Sequence, residues 1–125
     1  MRRTFGYFLG IAATLGTLAG ACPAFADFGA IAYDRNNCAW GRSWHLETPR
    51  RAAEVALSEC GHRGCRVVLE VGSGQCGALA ATDNCRGFGY AARYSRREAQ
   101  EAAMSICRGY NGPGVCTVRV VDCNR

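Results

Sequence analysis

The chain has 125 residues with 15 basic and 10 acidic side chains, and every basic side chain is an arginine. This positive excess is small and dispersed, which excludes a concentrated nucleic-acid-binding stripe. The length and the 49% hydrophobic content fit one small domain with a thin stability margin, so covalent cross-links are expected among its nine cysteines.

The first 26 residues have the pattern of a secretory signal peptide. Two arginines precede an apolar run over residues 5–21, and a small-x-small site ends at Ala26. We predict cleavage after Ala26, which makes 27–125 a single exported, disulfide-rich domain that is periplasmic or secreted. A lipobox-like stretch before Cys22 offers the alternative of a lipid anchor. No other segment is apolar enough to span a bilayer, so no transmembrane segment is expected in the mature chain.

The remaining chain is an internal repeat. "GAIA" from Gly29 aligns with "GALA" from Gly77, and "RAAEVALSEC" and "CRVVLEV" align with "EAQEAAMSIC" and "CTVRVVD". Repeat one covers about 28–72 and repeat two about 76–124. Each repeat has the pattern of strand, strand, helix and strand.

The helices have clear start signals. Thr48 is followed by a proline at the first helical position, and Ser95 with Glu98 forms a capping box. Gly61 and Gly109 follow the two helices as stop signals. The second helix carries one apolar stripe, formed by Ala99, Ala102, Ala103 and Ile106.

The strand after the first helix alternates, which places Val67 and Leu69 on one face and Val68 on the other. The predicted fold class is α+β, with two tandem β-β-α-β repeats related by pseudo-two-fold symmetry. We expect an antiparallel sheet with two helices on one face, stapled by disulfides.

The doubled order of "GAIAY", "RAAEVALSECG", "CRVVLEV", "CGALA", "GFGYAA" and "CTVRVVDC" resembles the bacterial exported family catalogued as domain of unknown function 4189. The resemblance covers essentially all of residues 28–123. It implies an exported domain, sometimes lipid-anchored, and it brings no activity and no catalytic residues. Cys38 and Cys85 look like an addition to the family pattern, and Phe88 and Tyr90 stand where tryptophan is common.

Loss of the leader leaves eight cysteines, which allow 105 pairings. The repeat favours local links at each helix end and a link between the equivalent cysteines of the two copies. The predicted pairs are Cys60 with Cys65, Cys107 with Cys116, Cys38 with Cys85, and Cys76 with Cys123. The spacings lack the close pairs typical of zinc sites, so no metal and no cofactor are predicted.

Catalytic candidates are few. Ser43, His45 and Glu47 would share a face of a continued strand, but neighbours at this spacing stand about 6 to 7 Å apart, too far for a nucleophile and its base. The sequence therefore favours no catalytic residue, although a small secreted hydrolase using His45 is kept as an alternative. The glycine-rich run "GSGQCG" lacks the lysine and the helix of a phosphate loop and predicts a flexible connection.

The remaining candidate site is aromatic. Trp40, Arg42 and Trp44 share one face of a strand, and Phe88 and Tyr90 do so in the second copy. Such a face suits an envelope glycan or a protein partner, and the alternative is that these rings form half of the core. The leading hypothesis is a non-enzymatic binding or inhibitor module at the cell envelope. The other alternative is a purely structural envelope protein.

Overall fold

The computed structural model describes residues 27–110 and 114–124, together with Gly16. Apart from that glycine, the predicted signal peptide and Cys22 lie outside the described residues. The elements in chain order are β1 (Phe28–Asp34), β2 (Ala39–Leu46), α1 (Pro49–Cys60), β3 (Arg66–Val71), β4 (Cys76–Ala81), β5 (Phe88–Arg93), α2 (Arg96–Arg108) and β6 (Thr117–Cys123). Within the described residues, no helix combines the length and the apolar character needed to cross a membrane.

The strands form two three-stranded antiparallel sheets with the same internal order. The first sheet has the order β2-β1-β3, and the second has the order β5-β4-β6. The α+β class, the doubled β-β-α-β order and the disulfide stapling are thereby confirmed. The strands form two sheets instead of one, and each helix covers the outer face of its own sheet.

Both helices begin and pack as their sequences indicate. The Thr48 hydroxyl accepts a hydrogen bond from the Arg51 amide, and the Ser95 hydroxyl accepts one from the Glu98 amide, each at 3.1 Å. Gly61 ends α1 in the left-handed conformation at φ 76°, whereas Gly109 follows α2 at φ −72°, in the right-handed region. A left-handed glycine therefore caps only the first of these two helices.

The helices approach their sheets closely because the contact residues are small. Each helix buries two alanines and a cysteine against alanines of the central strand. A Cβ on Gly41 would collide with the α1 backbone at Ala56 and Cys60. A Cβ on the equivalent Gly89 would collide with the α2 backbone in the same way. These two glycines set the distance between helix and edge strand.

The two sheets pack face to face through a layer of larger side chains. Ile31 and Leu79, both fully buried, lie at its centre, and Tyr33 and Val120 lie beside them. The central strands β1 and β4 are therefore covered on both faces, by a helix on the outside and by the other sheet on the inside.

Four disulfides cross-link the fold, and their connectivity coincides with the pairing that the repeat favours. Cys38 and Cys85 lie in the two hairpin turns, both with left-handed φ values, 56° and 65°. Their bond joins the first sheet to the second across 47 residues of chain. In the loop-entropy model such a closure stabilises a domain by about 4 kcal/mol.

Both third strands of the repeats carry a bulge. The register of β3 against β1 shifts between Ile31 and Ala32, and that of β6 against β4 shifts between Leu79 and Ala80. The expected alternation of β3 is therefore interrupted. Val67 packs towards α1, whereas Val68 and Leu69 both pack towards the second sheet.

We expect Gly41→Ala and Gly89→Ala each to lower the free energy of unfolding by about 3 kcal/mol or more, because the added methyl group meets helix backbone. Urea denaturation of the oxidised protein measures this change. Gly72→Ala is the matched control, since its methyl group would meet only the flexible Gln75 side chain, at 3.3 Å. Equal stability of all three variants would contradict the close helix contact.

Candidate functional site

The structure separates the aromatic residues singled out in the sequence. Trp40, Trp44 and Phe88 are half-buried and pack against the layer between the sheets. Arg42 remains exposed, with its Cζ 5.9 Å from the centre of the Trp40 ring. The two tryptophans are therefore partly incorporated into the core, and Arg42 is the member of this set that stays open to solvent.

Trp44 fills a gap that two glycines leave between the sheets. A Cβ on Gly29 would come within 2.8 Å of the indole, and one on Gly77 within 3.3 Å. The indole N–H is buried and has no hydrogen-bond partner among residues 27–110 and 114–124. Trp44 therefore acts as a packing residue and not as a polar contact.

A row of four aromatic rings leads from the core to the surface. The Phe88 ring lies 5.0 Å from that of buried Tyr33, 6.2 Å from that of Tyr90 and 6.1 Å from that of Tyr110. Tyr90 is 39% exposed and Tyr110 is 51% exposed. We call these four residues the ring row. Its outer half is accessible to a partner.

A cleft of about 180 Å³ opens beside the ring row, where the two sheets meet. Its walls include Tyr33 and Phe88 from the ring row and three charged side chains, Asp34, Arg35 and Arg66. We call it the seam cleft. Aromatic faces beside guanidinium groups can stack on planar or apolar groups and donate forked hydrogen bonds to carboxylates.

The polar groups of the seam cleft are held in place by hydrogen bonds. The Asn37 side chain donates to Asp34 at 2.6 Å and the Asn36 amide donates to it at 2.9 Å, and these bonds lower the pKa of the Asp34 carboxyl. Burial raises the pKa of Tyr33 against the opposing effect of Arg119. The neutral Tyr33 hydroxyl donates to the Cys85 carbonyl at 2.7 Å.

The structure does not assemble the alternative catalytic set. Ser43 is buried, and its hydroxyl accepts from the Ala30 amide at 3.1 Å and donates to the Ala52 carbonyl at 2.6 Å. A bulge turns His45 out to the surface with φ 57°, and its Nδ1 lies 3.5 Å from an Asp27 carboxylate oxygen. Ser43 and His45 therefore do not share a face.

A larger groove, of about 560 Å³, runs along the outer side of α2. It is open and lined by one helix, and two of its charged residues, Arg97 and Glu101, pair with each other at 2.8 Å. Among the described residues, no group of three His, Cys, Asp or Glu side chains could hold a metal ion. The seam cleft and the ring row are therefore the stronger candidate site.

Five members of this site were not among the candidates from the sequence, namely Tyr33, Asp34, Arg35, Arg66 and Tyr110. Tyr110 lies just beyond α2, where no strand or helix pattern assigns it a face. Arg35 lies in the turn after β1 and Arg66 lies in β3, and only the pairing of these two strands brings them together. The available sequence signal was an aromatic residue, Tyr110, three residues after Cys107, whose disulfide holds the end of α2 near β6.

Comparisons with known proteins agree with this architecture. The chain matches the profile of the family described as "Domain of unknown function (DUF4189)" over residues 28–123. It is 36% identical over 87 residues to the uncharacterised proteins Rv1813c of Mycobacterium tuberculosis and Mb1843c of Mycobacterium bovis, a match that covers 70% of this chain and 57% of each relative. It is also similar to the NMR structure of Rv1813c from Mycobacterium tuberculosis, with a TM-score of 0.56 and 27% identity, over 99% of this chain and 98% of that chain.

We expect Trp44→Ala to lower the free energy of unfolding by about 3 kcal/mol, because it empties space between the sheets. Trp44→Phe should lower the free energy of unfolding by only about 1 kcal/mol, because phenylalanine fills most of the same space. Removal of the buried, unpartnered N–H also offsets part of the lost packing. Urea denaturation measures both changes. Equal destabilisation by the phenylalanine and alanine variants would contradict the role of the Trp44 ring in filling the space between the sheets.

Asp34 should make stability depend on pH. Because its pKa is lowered in the folded state, its contribution is present above pH about 4 and is lost as the pH falls through the folded pKa. The difference in unfolding free energy between wild type and Asp34→Asn should therefore be largest at neutral pH and shrink on acidification. Exposed Asp83→Asn, in the other hairpin, serves as the control. A difference that did not change with pH would exclude this role of the carboxylate.

Proposed function

Because the chain belongs to the family of the domain of unknown function DUF4189, whose description carries no activity, we propose a function from its own surface. We infer that it is an exported, disulfide-stabilised module that acts at the cell envelope by binding a partner and not by catalysis. The observation that carries this proposal is the ring row, whose outer rings reach solvent beside the arginines of the seam cleft.

Export is supported by two independent features. The first 26 residues have the composition of a signal peptide. The folded part contains four disulfides, which form and persist in oxidising compartments such as the periplasm or the medium.

Binding is supported by the chemistry of the exposed rings. Tyrosine provides a large contact area with few rotatable bonds, and tyrosine and arginine are enriched among the residues that dominate binding energy. Tyr90 and Tyr110 are both anchored by stacking on Phe88, so their ordering loses little entropy on binding. The exposed rings are therefore already ordered before a partner binds.

The test is retention of envelope components on the immobilised, oxidised protein. We expect the double variant Tyr90→Ala/Tyr110→Ala to lose retention by at least about tenfold, because it removes the two exposed rings. Tyr94→Ala is the control, since Tyr94 is more exposed, at 73%, and lies beyond the end of β5. If the double variant retained the same components as wild type, the ring row would not be the binding surface, and a structural role would be favoured.

A further inference from the structure

The two sheets have four edge strands, and these edges are not equally protected. An edge strand presents unpaired backbone N–H and C=O groups that can pair with another chain, and proteins commonly block this with charges or bulges. The edges of the first sheet are β2 and β3, and those of the second sheet are β5 and β6. The differences between them identify one open edge.

Three of these edges carry a protecting feature. The strands β3 and β6 are bulged where they pair with the central strands. The strand β2 is bulged near His45, and the Arg42 amide on its outer side donates to the Glu59 carboxylate at 3.4 Å. A side chain from α1 thus caps the edge of β2.

The strand β5 carries neither a bulge nor a carboxylate cap. Its register against β4 is uninterrupted from Cys76 opposite Arg93 to Ala81 opposite Phe88. The Thr82 amide donates to the Gly87 carbonyl at 2.8 Å, which fixes the phase of the antiparallel ladder. By alternation, Gly87, Gly89 and Ala91 bond to β4, whereas Phe88, Tyr90 and Ala92 direct their backbone groups outward. Of these outward groups, the Ala92 carbonyl accepts a hydrogen bond from the exposed Arg93 guanidinium at 2.8 Å, which an added strand would displace. Among residues 27–110 and 114–124, no other strand pairs with that outer side.

The repeat shows how the edges of β2 and β5 differ. The alignment places Tyr90 at the position of Arg42 and Ile106 at that of Glu59. Ile106 is 47% exposed, although the sequence assigned it to the buried stripe of α2. A Cβ on Gly89 would lie 2.8 Å from the Ile106 Cβ, so this side chain sits directly over β5. An apolar contact has replaced the acidic cap.

Exposed apolar groups therefore flank the open edge on both faces of the sheet. Tyr90 lies on the inner side with Phe88, Tyr110 reaches the Phe88 ring from the end of α2, and Ile106 lies on the outer side. A strand added to β5 would place its alternate side chains against these two groups. Arg86 and Arg93, both exposed, stand at the two ends of β5.

We propose that β5 is a strand-addition site, at which an extended segment of a partner protein pairs as a fourth strand of the second sheet. This proposal rests on the proposed binding function and identifies its partner as a polypeptide. The segment has apolar side chains in alternation and acidic residues at its ends, which match the two arginines. A second copy is a poorer occupant, because pairing β5 with itself would bring two arginines together at each end of the paired strands.

The probe is a short synthetic peptide of alternating valine and threonine with a glutamate at each end. We expect it to bind the oxidised protein and to slow hydrogen exchange at the Tyr90 and Ala92 amides. A peptide with arginines in place of the glutamates should bind at least about tenfold more weakly. Unchanged exchange at both amides in the presence of saturating peptide would overturn strand addition.

Two variants test the contribution of the β5 backbone to binding independently of the aromatic rings. Ala92→Pro removes an outward N–H and leaves the bonds to β4, so it should weaken peptide binding by at least about tenfold. Ala92→Val adds comparable bulk and keeps the N–H, so it should bind like wild type. If Ala92→Pro does not fold, the same loss is expected when the peptide is N-methylated along one edge, and binding that survived this change would overturn the proposal.

The outcomes also distinguish strand addition at β5 from the broader proposal that the protein binds a partner. If Tyr90→Ala/Tyr110→Ala loses envelope retention while Ala92→Pro keeps it, the ring row binds a partner and strand addition is wrong. If neither variant loses retention, the binding function itself fails. Sedimentation supplies a third outcome, because a dimer that Ala92→Pro dissociates would identify the occupant as a second copy and overturn the partner assignment.

Discussion

Each β-β-α-β unit has two apolar faces on its sheet but only one helix to cover them, and the rest of the structure depends on this imbalance. The helix covers the face with alanines and glycines, where backbones approach closely. The other face carries Ile31 in the first sheet and Leu79 in the second, both fully buried in the assembled fold. A single unit would leave this face in water, which the hydrophobic effect opposes. The internal repeat is therefore a physical requirement of the fold, since each sheet is the cover of the other.

The same constraint explains where the two repeats diverge. Positions on the central strands are covered by the opposite layers, so they remain apolar in both copies, as Ile31 and Leu79 do. Solvent-facing positions beside the sheet edges are free to differ, as Glu59 of α1 and Ile106 of α2 do. The first repeat caps its edge with a carboxylate, and the second presents exposed apolar side chains beside a regular strand. Stability requires only the pattern that the two repeats share. The differences between the repeats are therefore the feature that points to function.

Much of the fold could be predicted from the sequence because its determinants are local. Capping residues such as Thr48 and Ser95 start helices through contacts three residues away, and the repeat relates equivalent cysteines such as Cys38 and Cys85. The division into two sheets was not predictable. The alternation of apolar residues along a strand shows which side chains face inward, but it does not show whether a helix or another sheet covers them. The bulge at Val68 and the exposure of Ile106 depend on pairing and on helix rotation, which no local pattern encodes. The candidate site was found only in part for the same reason.

The surface between the sheets is fixed at both ends by contacts that join the two repeats. At the hairpin end, the Cys38–Cys85 disulfide and the bond from the Tyr33 hydroxyl to the Cys85 carbonyl link the sheets. At the opposite end, the buried Asn124 side chain accepts from the His45 amide at 3.0 Å and donates to the Val71 carbonyl at 3.0 Å. Neither sheet can move relative to the other without breaking one of these sets. The rings and guanidinium groups at the seam are consequently held in place before any partner arrives, so association loses less conformational entropy than it would on a flexible surface.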